Sequence, residues 1–267
     1  MNKTITYIIS GVIFFLLALV ITINVLLNPN NYKEEIISYV SKSINYDFSY
    51  EGNIDLSYLP NIYFSIPNIK VSSKKEFNQD LIAKAQQIKM SVLFKPLIEG
   101  VIDVKNVQAI EGEIFGFNID NTLLNTYAIA KRTQYVTRIK NSTKFMHLNA
   151  TGNIINEVLT INKVNIETNL LAATGTGTID LKNKTSSLKF IAKIKNDEVT
   201  ISKYGKAYPF DLIDKELPIN IQGSLESPSV SVDLSNIIKQ EIEEITDKAI
   251  EKIKEELQER IKIKLPF

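Results

Sequence analysis

The chain has 267 residues, in which 31 Lys and Arg stand against 30 Asp and Glu, for a net charge of +1 at neutral pH. That balance argues against a nucleic-acid binder, which needs a concentrated positive surface to neutralise phosphates. With no cysteine and a single histidine, His147, the composition excludes disulfides, Cys-based zinc sites, iron–sulfur clusters, thiol catalysis and any two-histidine metal or acid–base arrangement.

From Ile5 to Leu27 every residue is apolar or neutral. As a helix this stretch rises ~34 Å, enough to cross a hydrocarbon core of ~30 Å. Its polar members, Thr6, Ser10, Thr22 and Asn24, can return hydrogen bonds to their own helix. The run exceeds the usual apolar region of a secretory signal, and no small-x-small cleavage pattern precedes Asn28-Pro29-Asn30, so an uncleaved anchor is expected over residues 1–28. Only Lys3 precedes it, whereas Lys33 and Lys42 mix with Glu34, Glu35 and Asp47 after it. The asymmetry favours an N-terminus on the cytoplasmic side, with the rest of the chain across the membrane.

Asn31 and Glu34 have the spacing of a reciprocal helix cap, and Tyr32, Ile36, Val40 and Ile44 predict a short amphipathic helix over 32–44. The period then changes to two. Tyr46, Phe48 and Tyr50 alternate with polar residues, as do Ile54 and Leu56; Ile88, Met90 and Val92; Ile102 and Val104. The pattern returns at Leu159 and Ile161, Val164 and Ile166, Ile179 and Leu181, Phe190 to Ile194, Ile219 and Ile221, and Val230 and Val232. Such alternation marks strands with one buried and one wet face. Gly52, Pro60, Pro67, Gly100, Gly112, Gly116, Gly152, Gly205, Gly223 and Pro228 punctuate the runs as expected turns. A helix is expected over 122–131, capped by Asn121 or Thr122. Many short strands without a βαβ rhythm predict an antiparallel meander, mainly β with helices, in one elongated domain over 29–233.

Over 234–267 the period becomes helical. Ile238, Ile242, Ile245, Ala249, Ile253, Leu257 and Ile261 form a stripe with a mean step of about 3.8, too long for a left-handed coiled coil. A long amphipathic helix capping or flanking the sheet is expected. Its acidic middle disfavours anionic lipid, and only Arg260, Lys262 and Lys264 make a basic end.

No catalytic pattern stands out. Thr174-Gly175-Thr176-Gly177-Thr178 lacks the third glycine of a dinucleotide loop, since Asp180 stands there, and it is followed by strand alternation rather than a helix. It is read as a strand that a neighbour approaches closely. His147 has no acidic or nucleophilic partner in a motif, and Gly-x-Ser-x-Gly, His-Glu-x-x-His and calcium-loop patterns are missing. Neither enzyme activity nor a metal or cofactor is expected. Asn141-Ser142-Thr143 and Asn183-Lys184-Thr185 are sequons that carry meaning only in a eukaryotic secretory protein.

Three stretches resemble the AsmA-like proteins of the Gram-negative envelope. The first is Leu27-Asn28-Pro29-Asn30-Asn31-Tyr32-Lys33-Glu34-Glu35-Ile36 with Glu51-Gly52-Asn53-Ile54-Asp55-Leu56-Ser57-Tyr58-Leu59-Pro60. The second is Val92-Leu93-Phe94-Lys95-Pro96-Leu97-Ile98-Glu99-Gly100. The third is Ala173-Thr174-Gly175-Thr176-Gly177-Thr178-Ile179-Asp180-Leu181 with Ile221-Gln222-Gly223-Ser224-Leu225-Glu226-Ser227-Pro228. The resemblance implies an inner-membrane anchor, a periplasmic body and a taco-like β-groove that accommodates phospholipid acyl chains. It also implies links to lipid transport, outer-membrane assembly and lipopolysaccharide content. Typical AsmA is about twice as long, and about twelve strands at ~4.8 Å would stack to only ~60 Å, short for a bridge across the periplasm. Candidate groove residues are Ile54, Leu56, Ile88, Met90, Val92, Ile102, Val104, Leu159, Ile161, Val164, Ile166, Phe190 and Ile194. Periodicity leaves two alternatives open, an acyl-chain groove and a closed core. It also leaves open a scaffold that acts on envelope-assembly proteins without carrying lipid.

Overall fold

The structure is a computed structural model that describes residues 28–57, 62–73, 80–92, 102–133 and 141–263. The stretch expected to be an anchor, Ile5 to Leu27, lies outside these residues, and among the described ones no helix is long and apolar enough to cross a membrane.

The described chain opens with a 3-10 turn, Pro29–Tyr32, running into helix α1, Lys33–Ile44. The α1 cap position falls on Tyr32, which makes no side-chain capping bond, rather than on Asn31; the 3-10 turn before it is capped by Asn28, whose side chain accepts from the backbone N–H of Asn30, with Pro29 preset for the first turn. Glu34 and Glu35 sit in the positive first turn, Lys42 in the last, and Asn45 ends the helix in the left-handed region at φ 57°. Asn30 then clamps the strand side of the domain: its amide donates to the Ile54 carbonyl at 3.0 Å and accepts the Ile54 N–H at 2.7 Å.

Eleven strands follow: β1 Asp47–Tyr50, β2 Asp55–Ser57, β3 Ile62–Ser72, β4 Leu81–Val92, β5 Ile102–Phe115, β6 Ser142–Ile155, β7 Val158–Thr168, β8 Leu171–Asp180, β9 Thr185–Ile194, β10 Leu217–Ser224 and β11 Ser229–Val232. They form one open antiparallel sheet in the order β1-β3-β4-β5-β6-β7-β8-β9-β10-β11, with β2 also paired to β3. Because β1 and β2 share the β3 edge end to end, nine interstrand steps give a width of ~43 Å rather than the expected ~60 Å.

Helix α2, Ile119–Ala130, begins about one turn earlier than expected, because Asn118 rather than Asn121 or Thr122 is the cap; its Oδ1 accepts from Asn121 N. Its buried Ile119, Leu123, Leu124 and Ala128 face the sheet. A shorter helix, α3 (Glu198–Tyr204), escapes sequence reading because two turns show little periodicity; Asp197 caps it, accepting from Thr200 N at 2.8 Å. Helix α4, Ser235–Ile263, docks by its start. Leu234 and Ile237 are buried, and every residue from 246 to 258 is exposed, so that stretch does not cap the sheet.

Several expected turn residues lie inside strands. Pro67 is in β3, Gly112 in β5, Gly152 in β6 and Gly223 in β10. Pro67 occupies the gap between the β1 and β2 pairings, where β3 has no partner on that side and a missing N–H costs nothing. Gly112 and Gly175 are required by close approach. A Cβ on Gly112 would enter the Phe145 ring and lie 2.6 Å from the Lys84 carbonyl; one on Gly175 would meet the Phe190 ring and lie 2.6 Å from the Lys189 carbonyl. In each case the Phe from the paired strand covers the glycine.

A buried polar hub holds α2, α3 and the end of β7 together. The Thr168 hydroxyl donates to Asp120 Oδ1 at 2.5 Å and accepts from Leu171 N at 2.9 Å, while the Tyr204 hydroxyl donates to Asp120 Oδ2 at 3.2 Å. Burial pushes the Asp120 carboxyl above its ordinary value, against the pull of the Thr168 and Tyr204 hydrogen bonds.

Two outcomes test this account. Gly175→Ala should lower stability by about 1–3 kcal/mol through overpacking, and Phe190→Leu in the same chain should restore only part of it, because the Lys189 carbonyl still clashes. For Asp120, the folded state holds more protons than the unfolded state between the unfolded value of about 3.8 and its raised folded value. Stability is therefore lost as pH rises through that window. Urea melts should show Asp120→Asn gaining on the wild type at neutral pH relative to pH ~4, whereas Asp120→Ala should cost about 1–3 kcal/mol at both by stranding its partners.

Candidate functional site

The feature that organises the molecule is the composition of one sheet face. Residues in register across an antiparallel pair share a face. One such row runs Leu56, Phe64, Met90, Val107, Ala150, Val164, Gly175, Phe190, Ile219, Val232, crossing ten strands without a polar residue. The next row, Ile66, Ile88, Ala109, Leu148, Ile166, Ala173, Ala192, Leu217, is likewise apolar over eight strands. On the other face the corresponding row is Ser65, Lys89, Gln108, Asn149, Asn165, Thr174, Ile191 and Pro218.

Strict alternation cannot keep long strands aligned in this way, and the register shifts explain how they do. Between Ile161 and Val164, β7 uses two residues, Asn162 and Lys163, where β8 uses only Thr176. This bulge brings odd-numbered Leu159 and Ile161 and even-numbered Val164 and Ile166 onto one face. The same change of phase lies between Val104 and Val107 in β5. A second line of irregularity crosses β3 to β6, where Ile66 and Ile69, Ala85 and Ile88, Ala109 and Gly112, and Phe145 and Leu148 each stand three apart on the same face. Asn68 at φ 47° and Glu111 at φ 46° mark it with left-handed backbone.

The face is closed over part of its area and accessible over the rest. Toward the Thr168 end, α2, α3 and the segment through Leu212 seal Phe145, Val164, Ile166, Leu171, Ala173, Phe190, Ala192, Ile194, Leu217 and Ile219 into one core. On the β1–β4 side, Ile36 and Ile37 of α1 pack against Tyr50, Ile54, Ile66 and Ile69. Between and beyond these lids, Phe64, Ile88, Met90, Val107, Ala150, Ile154, Leu159, Ile161, Ile179 and Leu188 are only half-buried. The sheet also curls on itself. Lys184, in the turn between β8 and β9, sets its ammonium 4.4 Å from the centroid of the Tyr46 ring just before β1. The Glu226 carbonyl, between β10 and β11, lies 2.6 Å from where a Cβ of Gly116 would be. The hydroxyls of Tyr46 and Tyr50 are buried without a hydrogen-bond partner among the described residues.

The candidate groove residues therefore divide. Ile88, Met90, Leu159 and Ile161 are on the half-buried part, Leu56 pairs with Phe64 beside it, and Val92, Ile102 and Val104 lie in register with the same strand ends. Ile54, Val164, Ile166, Phe190 and Ile194 are core. Sequence reading missed Phe64, Val107, Leu148 and Ala150, although the phase changes around them were the available signal. His147 is exposed on the polar face, where a concavity of about 540 Å³ is lined by His147, Asn149, Asn165, Glu167, Thr174, Lys193 and Glu216. Its carboxylates have cationic partners: Glu167 meets Lys195 at 3.0 Å and Glu216 meets Lys193 at 3.9 Å. Among the described residues no group of His, Asp and Glu could hold a metal ion.

The division between sealed and accessible area has a direct consequence. Val164→Asp should cost about 4 kcal/mol or more by burying an unpaired charge, whereas Leu159→Asp, five residues earlier in the same strand, should cost about 1 kcal/mol, as read from chemical melts.

No curated protein and no solved structure matches the chain. The model of the AsmA family matches residues 1–111. That stretch, which runs from the N-terminus through α1 and the first four strands into β5, is similar to the AsmA family.

Proposed function

We propose that this is an inner-membrane-anchored periplasmic protein without catalytic activity, which binds phospholipid on the half-buried part of its apolar sheet face and supports lipid transport and outer-membrane biogenesis. The observation that carries this reading is the ten-strand row from Leu56 to Val232, apolar throughout but sealed by helices along only part of the sheet. Acyl chains laid against Met90, Val107, Ala150 and Ile161 would leave water at about 0.8 kcal/mol per buried CH₂. The headgroup would remain at the wet rim of the strand ends. The likeness of residues 1–111 to the AsmA family supports an envelope setting and a lipid ligand.

Photo-crosslinking tests the reading in the full chain. A photoreactive residue replacing Met90 or Ile161 should capture phospholipid, and one replacing Lys89, on the other face, should not. Protein adducts at Met90 and Ile161 with no lipid would favour an assembly scaffold and overturn lipid binding.

A further inference from the structure

Exposed tyrosine is unevenly distributed in this molecule. Among the described residues three tyrosines are exposed, Tyr32 at 43%, Tyr39 at 68% and Tyr63 at 43%. All three lie between the first 3-10 turn and the start of β3. Tyr32, at the cap position, and Tyr39, in the second turn of α1, are seven residues apart and so close to one side of the helix. Tyr63 pairs with Ser57 of β2, three residues on from Ile54, the residue that the Asn30 amide clamps. The packed side of α1 is taken up by Ile36 and Ile37 against Tyr50, Ile54, Ile66 and Ile69, and Tyr32 and Tyr39 are left outside that contact. A tyrosine ring held in water adds nothing to the fold. In the headgroup layer of a bilayer the ring leaves water while the hydroxyl keeps a hydrogen bond.

The adjoining sequence identifies what covers this side of α1. The uncharged run Ile5 to Leu27 ends one residue before Asn28, where the described chain begins. With that run across the membrane, only the four-residue turn Pro29–Tyr32 separates α1 from the hydrocarbon. Such a turn rises ~8 Å at ~2 Å per residue, comparable with the ~5–7 Å depth of one headgroup layer. We propose, resting on the membrane anchor of the proposed function and not on its lipid ligand, that α1 docks through Tyr32 and Tyr39 on the headgroup layer of the bilayer that holds the anchor. Charge does not hold it there. Lys33 and Lys42 balance Glu34 and Glu35, and the Lys33 ammonium is turned back over the Tyr50 ring, 4.6 Å from its centroid. The docked helix is tied to the sheet at two points, by Asn30 at Ile54 and by Ser41, whose Oγ accepts the Phe48 N–H at 2.9 Å. The contact therefore sets how the sheet stands on the membrane.

The chain has no tryptophan, so a single one reports its own surroundings. In the full chain reconstituted into phosphatidylethanolamine–phosphatidylglycerol vesicles, Tyr39→Trp should emit at shorter wavelength and be quenched by lipid brominated in the upper acyl chain. Ser38→Trp, about 100° round the same helix, should stay open to iodide and escape the brominated lipid. The Tyr39→Trp quenching should persist in high salt. Alkaline carbonate extraction reads the anchor separately. A chain that stays with the vesicles while Tyr39→Trp is open to iodide would overturn the docking and leave the anchor standing; a chain released by carbonate would overturn both. Tyr39→Trp shielded from iodide but untouched by brominated lipid would show a protein covering this side. Quenching lost in high salt would show attraction by charge. Either result overturns the proposal.

Discussion

Everything in this fold depends on keeping one face of a wide sheet apolar while the strands lengthen and the sheet curls. A strand of four or five residues does this by alternation alone. The central strands are ten to fourteen residues long, and twist would carry their pattern out of line with their neighbours. The bulges in β5 and β7, and the irregular line through Asn68 and Glu111, absorb that mismatch. Left-handed backbone at a non-glycine residue costs on the order of 1–2 kcal/mol. Burying and aligning the hydrophobic rows offsets that cost.

The same economy explains the glycines. Where the sheet curls tightly enough for a ring to lie over the facing strand, a Cβ cannot be accommodated, and Gly112 under Phe145 and Gly175 under Phe190 are the result. Glycine here marks curvature within a sheet rather than the end of a strand. The Asp120 hub answers a related need. Helix α2 covers the apolar face, and its first turn is fixed to β7 and α3 through one buried carboxylate hydrogen-bonded to both.

Much of this architecture was legible in the chain. Alternation located most strands, though not β3 or β6, because a half-buried sheet imposes period two on its sequence. The change from odd Ile161 to even Val164 even recorded the bulge, although only the pairing with Gly175 and Gly177 shows that both sides of the shift share a face. Gly112, Gly152 and Pro67 misled as turn signals, because local composition does not say whether a neighbouring strand lies close or absent. The lids were the least legible part. Whether Phe190 is sealed and Leu159 accessible depends on where α2 and the segment after β9 come to rest, and no periodicity within the strands encodes that.

The strand order carries a further implication. Each strand from β3 onward pairs with the strands beside it in sequence, so strand pairing itself brings no distant segments together. Sheets of this kind grow or shrink by whole hairpins. Adding a pair of strands at a connecting turn would widen the apolar surface by ~10 Å and leave every other pairing as it stands. Insertions at such turns cost little in loop closure. The architecture is extensible in the manner of a repeat protein: evolution can set the span of the surface by counting hairpins, without redesigning a core.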